Sequence, residues 1–89
     1  MHDDNAGDWK LPAGWTAENL FDGGETGCGE LVLNLRQRFL ELEPGTRVAI
    51  RATDPGAPLD LPAWSRVTGN ELIAAEHPFY LMRVKERQG

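Results

Sequence analysis

The chain is poor in cysteine: its 89 residues contain one, Cys28. A lone cysteine excludes an internal disulfide, so any thiol chemistry is intermolecular or involves a carried group. One unpaired thiol also fits a reducing compartment, and the expected localisation is cytoplasmic. Basic charge is scarce: nine Lys and Arg stand against 14 Asp and Glu, for a formal net charge of -5. The cations (Arg36, Arg38, Arg47, Arg51, Arg66, Arg83, Lys85 and Arg87 among them) are scattered and form no stripe. That argues against direct nucleic-acid binding, which needs clustered charge to neutralise phosphates. No apolar run approaches the roughly 18 residues of a membrane span. The start, Met-His-Asp-Asp-Asn, is too acidic and polar for a secretory leader. Gly23, Gly24 and Gly27 lack the Gly-x-x-x-x-Gly-Lys-Ser/Thr spacing of a phosphate loop, so no nucleotide cofactor is implied. One cysteine with two dispersed histidines, His2 and His77, has no metal-ligand spacing, and no metal is expected.

What is present suits one small domain. Residues 1–11 read as a mobile tail, with Trp9 as a possible anchor, and 12–89 as the folded domain. A first strand is expected over Trp15–Phe21, followed by a glycine-rich loop over Asp22–Gly27. From Glu30 to Glu43 the apolar period is helical: Leu31, Val32, Leu35, Phe39 and Leu42 share a face, with Asn34, Gln37, Arg38 and Glu41 opposite. Pro44-Gly45 ends that helix. Leu33 and Leu40 lie off the main stripe. A neighbouring helix covering them is the simpler expectation, and an exposed strip for a partner is the alternative.

Thr46–Thr53 alternates Val48, Ile50 and Ala52 against Arg47, Ala49 and Arg51, the pattern of a half-buried strand. Asp54 to Pro58 reads as a loop. Asp60 is placed to cap a short helix that starts at Leu61-Pro62, carries Leu61, Trp64 and Val67, and stops at Gly69. Glu71–Glu76 and Phe79–Lys85 read as strands joined at His77-Pro78. The order β-α-β-α-β-β implies an α/β (α+β) two-layer sandwich: a mixed four-stranded sheet with both helices on one face.

Cys28 stands where the glycine-rich loop meets the first helix. A thiol there faces unpaired N–H groups and the positive end of the helix dipole, and both favour the nucleophilic thiolate. The plainer reading is a small buried hydrophobe at a helix end. Gly27 and Gly29 favour the reactive reading, because glycine permits close approach by another chain. Glu30 opposes the thiolate by charge but suits the helix start. Asp22 can accept loop N–H groups. Asp54 and Asp60 read as loop and cap residues. Arg51 and Arg66 read as solvated charges that could meet an acidic partner. A Cys28–His77 pair would need a spatial contact that the spacing does not supply.

From Trp15 to Lys85 the chain resembles the TusA/SirA-like sulfur carriers. Three features carry the resemblance: Asp22 six residues before Cys28; Pro44-Gly45 between helix and strand; and the run Ala52-Thr53-Asp54-Pro55 followed by Asp60-Leu61-Pro62, with Trp64 beyond. The resemblance implies a fold similar to the C-terminal domain of translation initiation factor three. It also implies a persulfide carried on Cys28, taken from a donor such as a cysteine desulfurase or rhodanese-like protein and passed to an acceptor protein. The relays it implies serve tRNA thiolation, molybdenum-cofactor chemistry or sulfur oxidation. The chain departs from the family's Cys-Pro-x-Pro, because Cys28-Gly29-Glu30-Leu31 keeps the cysteine and loses both prolines. Gly29 and Leu31 are expected to add two free N–H donors and a looser backbone to that turn. Glu25 also replaces a family glycine. The alternatives to a relay are a non-catalytic interaction module that uses Leu33 and Leu40, or a thiol redox sensor.

Overall fold

The computed structural model describes residues 11–86. Six elements follow in the order expected: β1 Asn19–Gly24, α1 Cys28–Leu40, β2 Arg47–Ala52, α2 Ala57–Thr68, β3 Glu71–Glu76 and β4 Phe79–Arg83. The sheet order is β1-β2-β4-β3. β1 runs parallel to β2, while β2–β4 and β4–β3 are antiparallel, so the sheet is mixed. The expected tail falls outside the described residues except for Leu11.

Both helices pack on one face. Leu31, Leu35 and Phe39 of α1 and Ala57 and Leu61 of α2 join Val48, Ile50, Ala52, Tyr80, Met82 and Val84 in one buried cluster. The alternation in β2 causes this, since residues two apart point to the same face. Ala49 and Leu81, on the other face and opposite each other in register, are buried as well. Phe39 meets Trp64 edge to face at 5.3 Å, which ties the two helices together.

Several expectations are corrected. The first strand is Asn19–Gly24, not Trp15–Phe21, and Asp22–Gly24 belongs to it. Its backbone there pairs with Arg51 and Ala52, which side-chain composition does not reveal. Helix α1 spans Cys28–Leu40 and so starts before Glu30; Leu42 lies past its end yet packs on the core. Arg38 is not on a solvent side: its guanidinium lies 5.2 Å from the centre of the Phe21 ring and donates to Asn19 Oδ1 at 2.8 Å. Its long stem covers apolar surface while its head finds polar partners. Helix α2 starts at Ala57, a turn earlier than expected, and Val67 is exposed rather than part of the core face.

Among the described residues no neighbouring helix covers Leu33 or Leu40, which are 63% and 56% exposed. The simpler expectation for them is wrong. No helix among the described residues is long and apolar enough to cross a membrane.

Candidate functional site

Strands β1 and β2, being parallel, end at the same edge of the sheet, and each leads into a helix there. The loop before α1, the loop before α2 and the β3–β4 turn therefore share one end of the molecule. Two hydrogen bonds record this: Thr53 N–H donates to Gly24 O at 2.9 Å, and Ala52 N–H donates to Pro78 O at 2.8 Å.

The approach to Cys28 is built from a bulge. The β1–β2 register shifts between Asp22 and Gly24, leaving Gly23 unpaired. A bulge of this kind bends the strand and ends the pairing. Gly24 takes φ +54°, a left-handed conformation that favours glycine. Asp22 Oδ1 accepts the Gly24 N–H at 3.0 Å, the loop-shaping role expected for it. Asp22 also pairs with Arg51, whose Nη1 lies 3.1 and 3.0 Å from its two carboxylate oxygens. Arg51 is therefore engaged within the chain rather than a freely solvated charge.

Gly23 is buried for a specific reason. A Cβ placed on it would stand 2.5 Å from Leu31 Cδ1 and 3.3 Å from Arg51 O. Leu31 thus drives its side chain against the bulge. Its N–H donates to Gly27 O at 2.8 Å and closes the first turn of α1. The expectation of two extra free donors is corrected here: Leu31 is engaged and buried, and the turn is tied to the core instead of loosened.

Cys28 is the first residue of α1, and the cap residue Gly27 supplies no side-chain hydrogen bond. N–H groups ahead of Leu31 have no acceptor inside the helix and point out of its start. Gly27 and Gly29 on either side have open space where a Cβ would be. Glu30 is exposed in the same first turn, where its charge suits the dipole.

The second helix start contains the other motif residues. Asp54 Oδ2 accepts the Gly56 N–H at 2.9 Å, and Asp54 O accepts the Ala57 N–H at 3.0 Å. Pro55 is exposed, and Pro62 lies inside the helix. Asp60 is not the cap. It is exposed in the first turn of α2, and its own N–H donates to Gly56 O. It instead lines a groove between the helices with Gly29, Val32, Ala63, Trp64 and Val67. The fold therefore brings Asp60 beside the turn that starts with Cys28.

His77 stands at the same end but in the β3–β4 turn. Two strand spacings, about 10 Å, separate β1 from β4. Its Nδ1 lies 2.6 Å from the Tyr80 hydroxyl. Among the described residues no group of three or more His, Cys, Asp or Glu could hold a metal ion. Reading the sequence missed Gly23, Leu31 and Thr53 as parts of this site. Thr53 carried a signal, since it lies inside the Ala52–Pro55 run. Gly23 carried none apart from the density of glycine around it.

Residues 25–85 match the family model described as sulfurtransferase TusA, a stretch that includes Cys28 and both motif segments. The chain is 30% identical over 74 residues to the sulfur carrier protein TusA of Pseudomonas syringae pv. tomato, covering 81% of this chain and 88% of that one. It is 32% identical over 57 residues to the putative sulfur carrier protein YrkI of Bacillus subtilis, covering 64% of this chain and 76% of that one. It is 30% identical over 70 residues to the putative sulfur carrier protein YrkF of the same organism, covering 79% of this chain but only 38% of the relative.

Proposed function

This chain belongs to the TusA sulfurtransferase family, and from that premise we propose that it is a sulfur-relay protein whose working group is Cys28. The observation that supports the reading most is the placement of Cys28 as the first residue of a helix with no side-chain cap, between two glycines open to solvent. A helix start of this kind favours the anionic form of a thiol or persulfide.

The step needs no oxidant. The Cys28 thiolate attacks the outer sulfur of a donor persulfide, and a new S–S bond forms as the donor's S–S bond breaks. The donor leaves as a thiolate and Cys28 holds the persulfide. An acceptor thiolate then attacks that outer sulfur, and Cys28 leaves as a thiolate. Each transfer is a thiol exchange at sulfur. The partners are a sulfur-donor protein, such as a cysteine desulfurase or rhodanese-like protein, and a sulfur-acceptor protein. A reducing, cytoplasmic setting suits the chemistry because it keeps the resting thiol free. Asp22, Gly27, Gly29 and Glu30 shape the turn; Asp54 and Pro55 lead into the neighbouring helix, which carries Asp60 in its first turn and Pro62 in its interior.

Incubation with a cysteine desulfurase and cysteine should add one sulfur, about 32 Da, to the intact protein by the exchange chemistry of thiols and persulfides. The Cys28→Ser variant should gain nothing. An adduct of equal size on the variant would remove Cys28 from the role.

A second reading has its own observation. Leu33 and Leu40 on α1 and Val67 on α2 are exposed apolar groups, with Val67 at 84%. An interaction module that uses this face would bind its partner equally well after Cys28→Ala, whereas a relay would bind and fail to transfer.

A further inference from the structure

Thr53 has no part in the chemistry described so far, yet it holds the loop that leads to Cys28. Its backbone N–H and its side-chain Oγ1 both donate to one acceptor, Gly24 O, at 2.9 and 2.8 Å. A carbonyl oxygen has two lone pairs, and Thr53 fills both. The ladder bond alone would end the β1–β2 pairing. The hydroxyl adds a second tie at the residue where the chain turns left-handed, with φ +54°.

The far side of the loop is tied as well. Thr26 N–H donates to Gly23 O at 3.0 Å, and Leu31 sits against Gly23. The chain from Gly24 to Cys28 therefore runs between two anchored points that lie close together. Between and beyond those points a side chain on Gly27 or Gly29 would meet nothing within 4 Å. Here the turn's placement depends on ties to β2 and to the core.

We propose that Thr53 is a positioning residue for Cys28, acting through Gly24: its hydroxyl fixes the loop so that the thiol meets a protein-borne persulfide in line with the breaking S–S bond. This rests on the relay reading above. Transfer between two proteins demands a set approach of sulfur to sulfur, and a small misplacement costs rate. A small alkylating reagent makes no such demand, because it can reach an accessible thiolate from many directions. A positioning role therefore separates the two reactions, and a general weakening of the fold does not.

The test compares the parent protein with Thr53→Val, which keeps the shape and the N–H but removes the hydroxyl, and with Thr53→Ser, which keeps the hydroxyl. Three quantities are measured: the rate of sulfur uptake from a cysteine desulfurase, the rate of Cys28 alkylation by iodoacetamide, and amide hydrogen exchange over residues 24–27. In Thr53→Val, uptake should fall about fivefold to tenfold, as for loss of one well-formed hydrogen bond that orients a reacting group. Alkylation should change less than about twofold, because thiolate and access are kept. Exchange over 24–27 should quicken. Thr53→Ser should restore uptake to within about twofold of the parent, since the donor is retained. Unchanged uptake or unchanged exchange in Thr53→Val overturns the positioning role, as does a parallel fall in alkylation or a failure of Thr53→Ser to rescue. A parent protein that takes up no sulfur overturns the relay reading, and the transfer role with it.

Discussion

The two helix starts at this end of the sheet occupy equivalent places, each after one of the two parallel strands, and they are finished in opposite ways. At α2 the N–H groups of Gly56, Ala57, Leu59 and Asp60 are all engaged, by the Asp54 carboxylate or by backbone carbonyls, and Pro58 has none to offer. At α1 the cap is a glycine with no side-chain bond, the flanking glycines are open, and the first residue is the chain's single cysteine. The closed start is built for stability. The open one leaves donors and dipole unanswered by any side-chain cap at the helix start. What steadies it lies one step back, in Leu31 against Gly23 and in Thr53 on Gly24.

Changes that disturb those anchors should have the largest effects. Leu31→Pro would remove both the N–H bond to Gly27 and a fully buried side chain. A cost of about 3 kcal/mol or more is expected, read as a fall in the denaturation midpoint. Gly23→Ala should cost about 1–3 kcal/mol by overpacking against Leu31. Pairing it with Leu31→Ala should cost less than the two separate losses combined, because the shortened side chain vacates the space, and a double-mutant cycle would show this. At the closed start, Asp54→Ala should cost about 1 kcal/mol for the lost tie to Gly56, with no change in sulfur uptake. Gly29→Pro is the mildest: the site is open and proline is tolerated in a first turn, so stability should move by less than about 1 kcal/mol. If Gly29→Pro proved as damaging as Leu31→Pro, the contrast between open turn and anchored turn would collapse.

Much of this was legible in the sequence. Alternation in Val48, Ile50 and Ala52 marked β2, and the spacing of Leu31, Leu35 and Phe39 marked the buried face of α1. The element order led to the two-layer sandwich. Strand β1 was misplaced because its last residues are held by backbone pairing, which Asp22-Gly23-Gly24 does not advertise. Helix α2 was started late because Asp60 looks like a cap, while the tie from Asp54 to Gly56 acts a turn earlier. Arg38 looked solvated because a charged residue's apolar stem is invisible to a binary pattern. At the candidate site, Cys28, Asp22 and Asp54 could be singled out from residue type and spacing. The pairing of Leu31 with Gly23 and of Thr53 with Gly24 depends on contacts across strands, so only the fold could reveal it.

The relay reading is tested most directly by following one sulfur through Cys28. The protein is loaded with desulfurase and isotopically labelled cysteine, freed of both, and its peptides are weighed before and after addition of a reducing thiol. The account predicts one labelled sulfur on the peptide that contains Cys28, released in full by the thiol as the peptide returns to its unloaded mass. Label on any other peptide, or a Cys28 peptide that never gains mass, would contradict it.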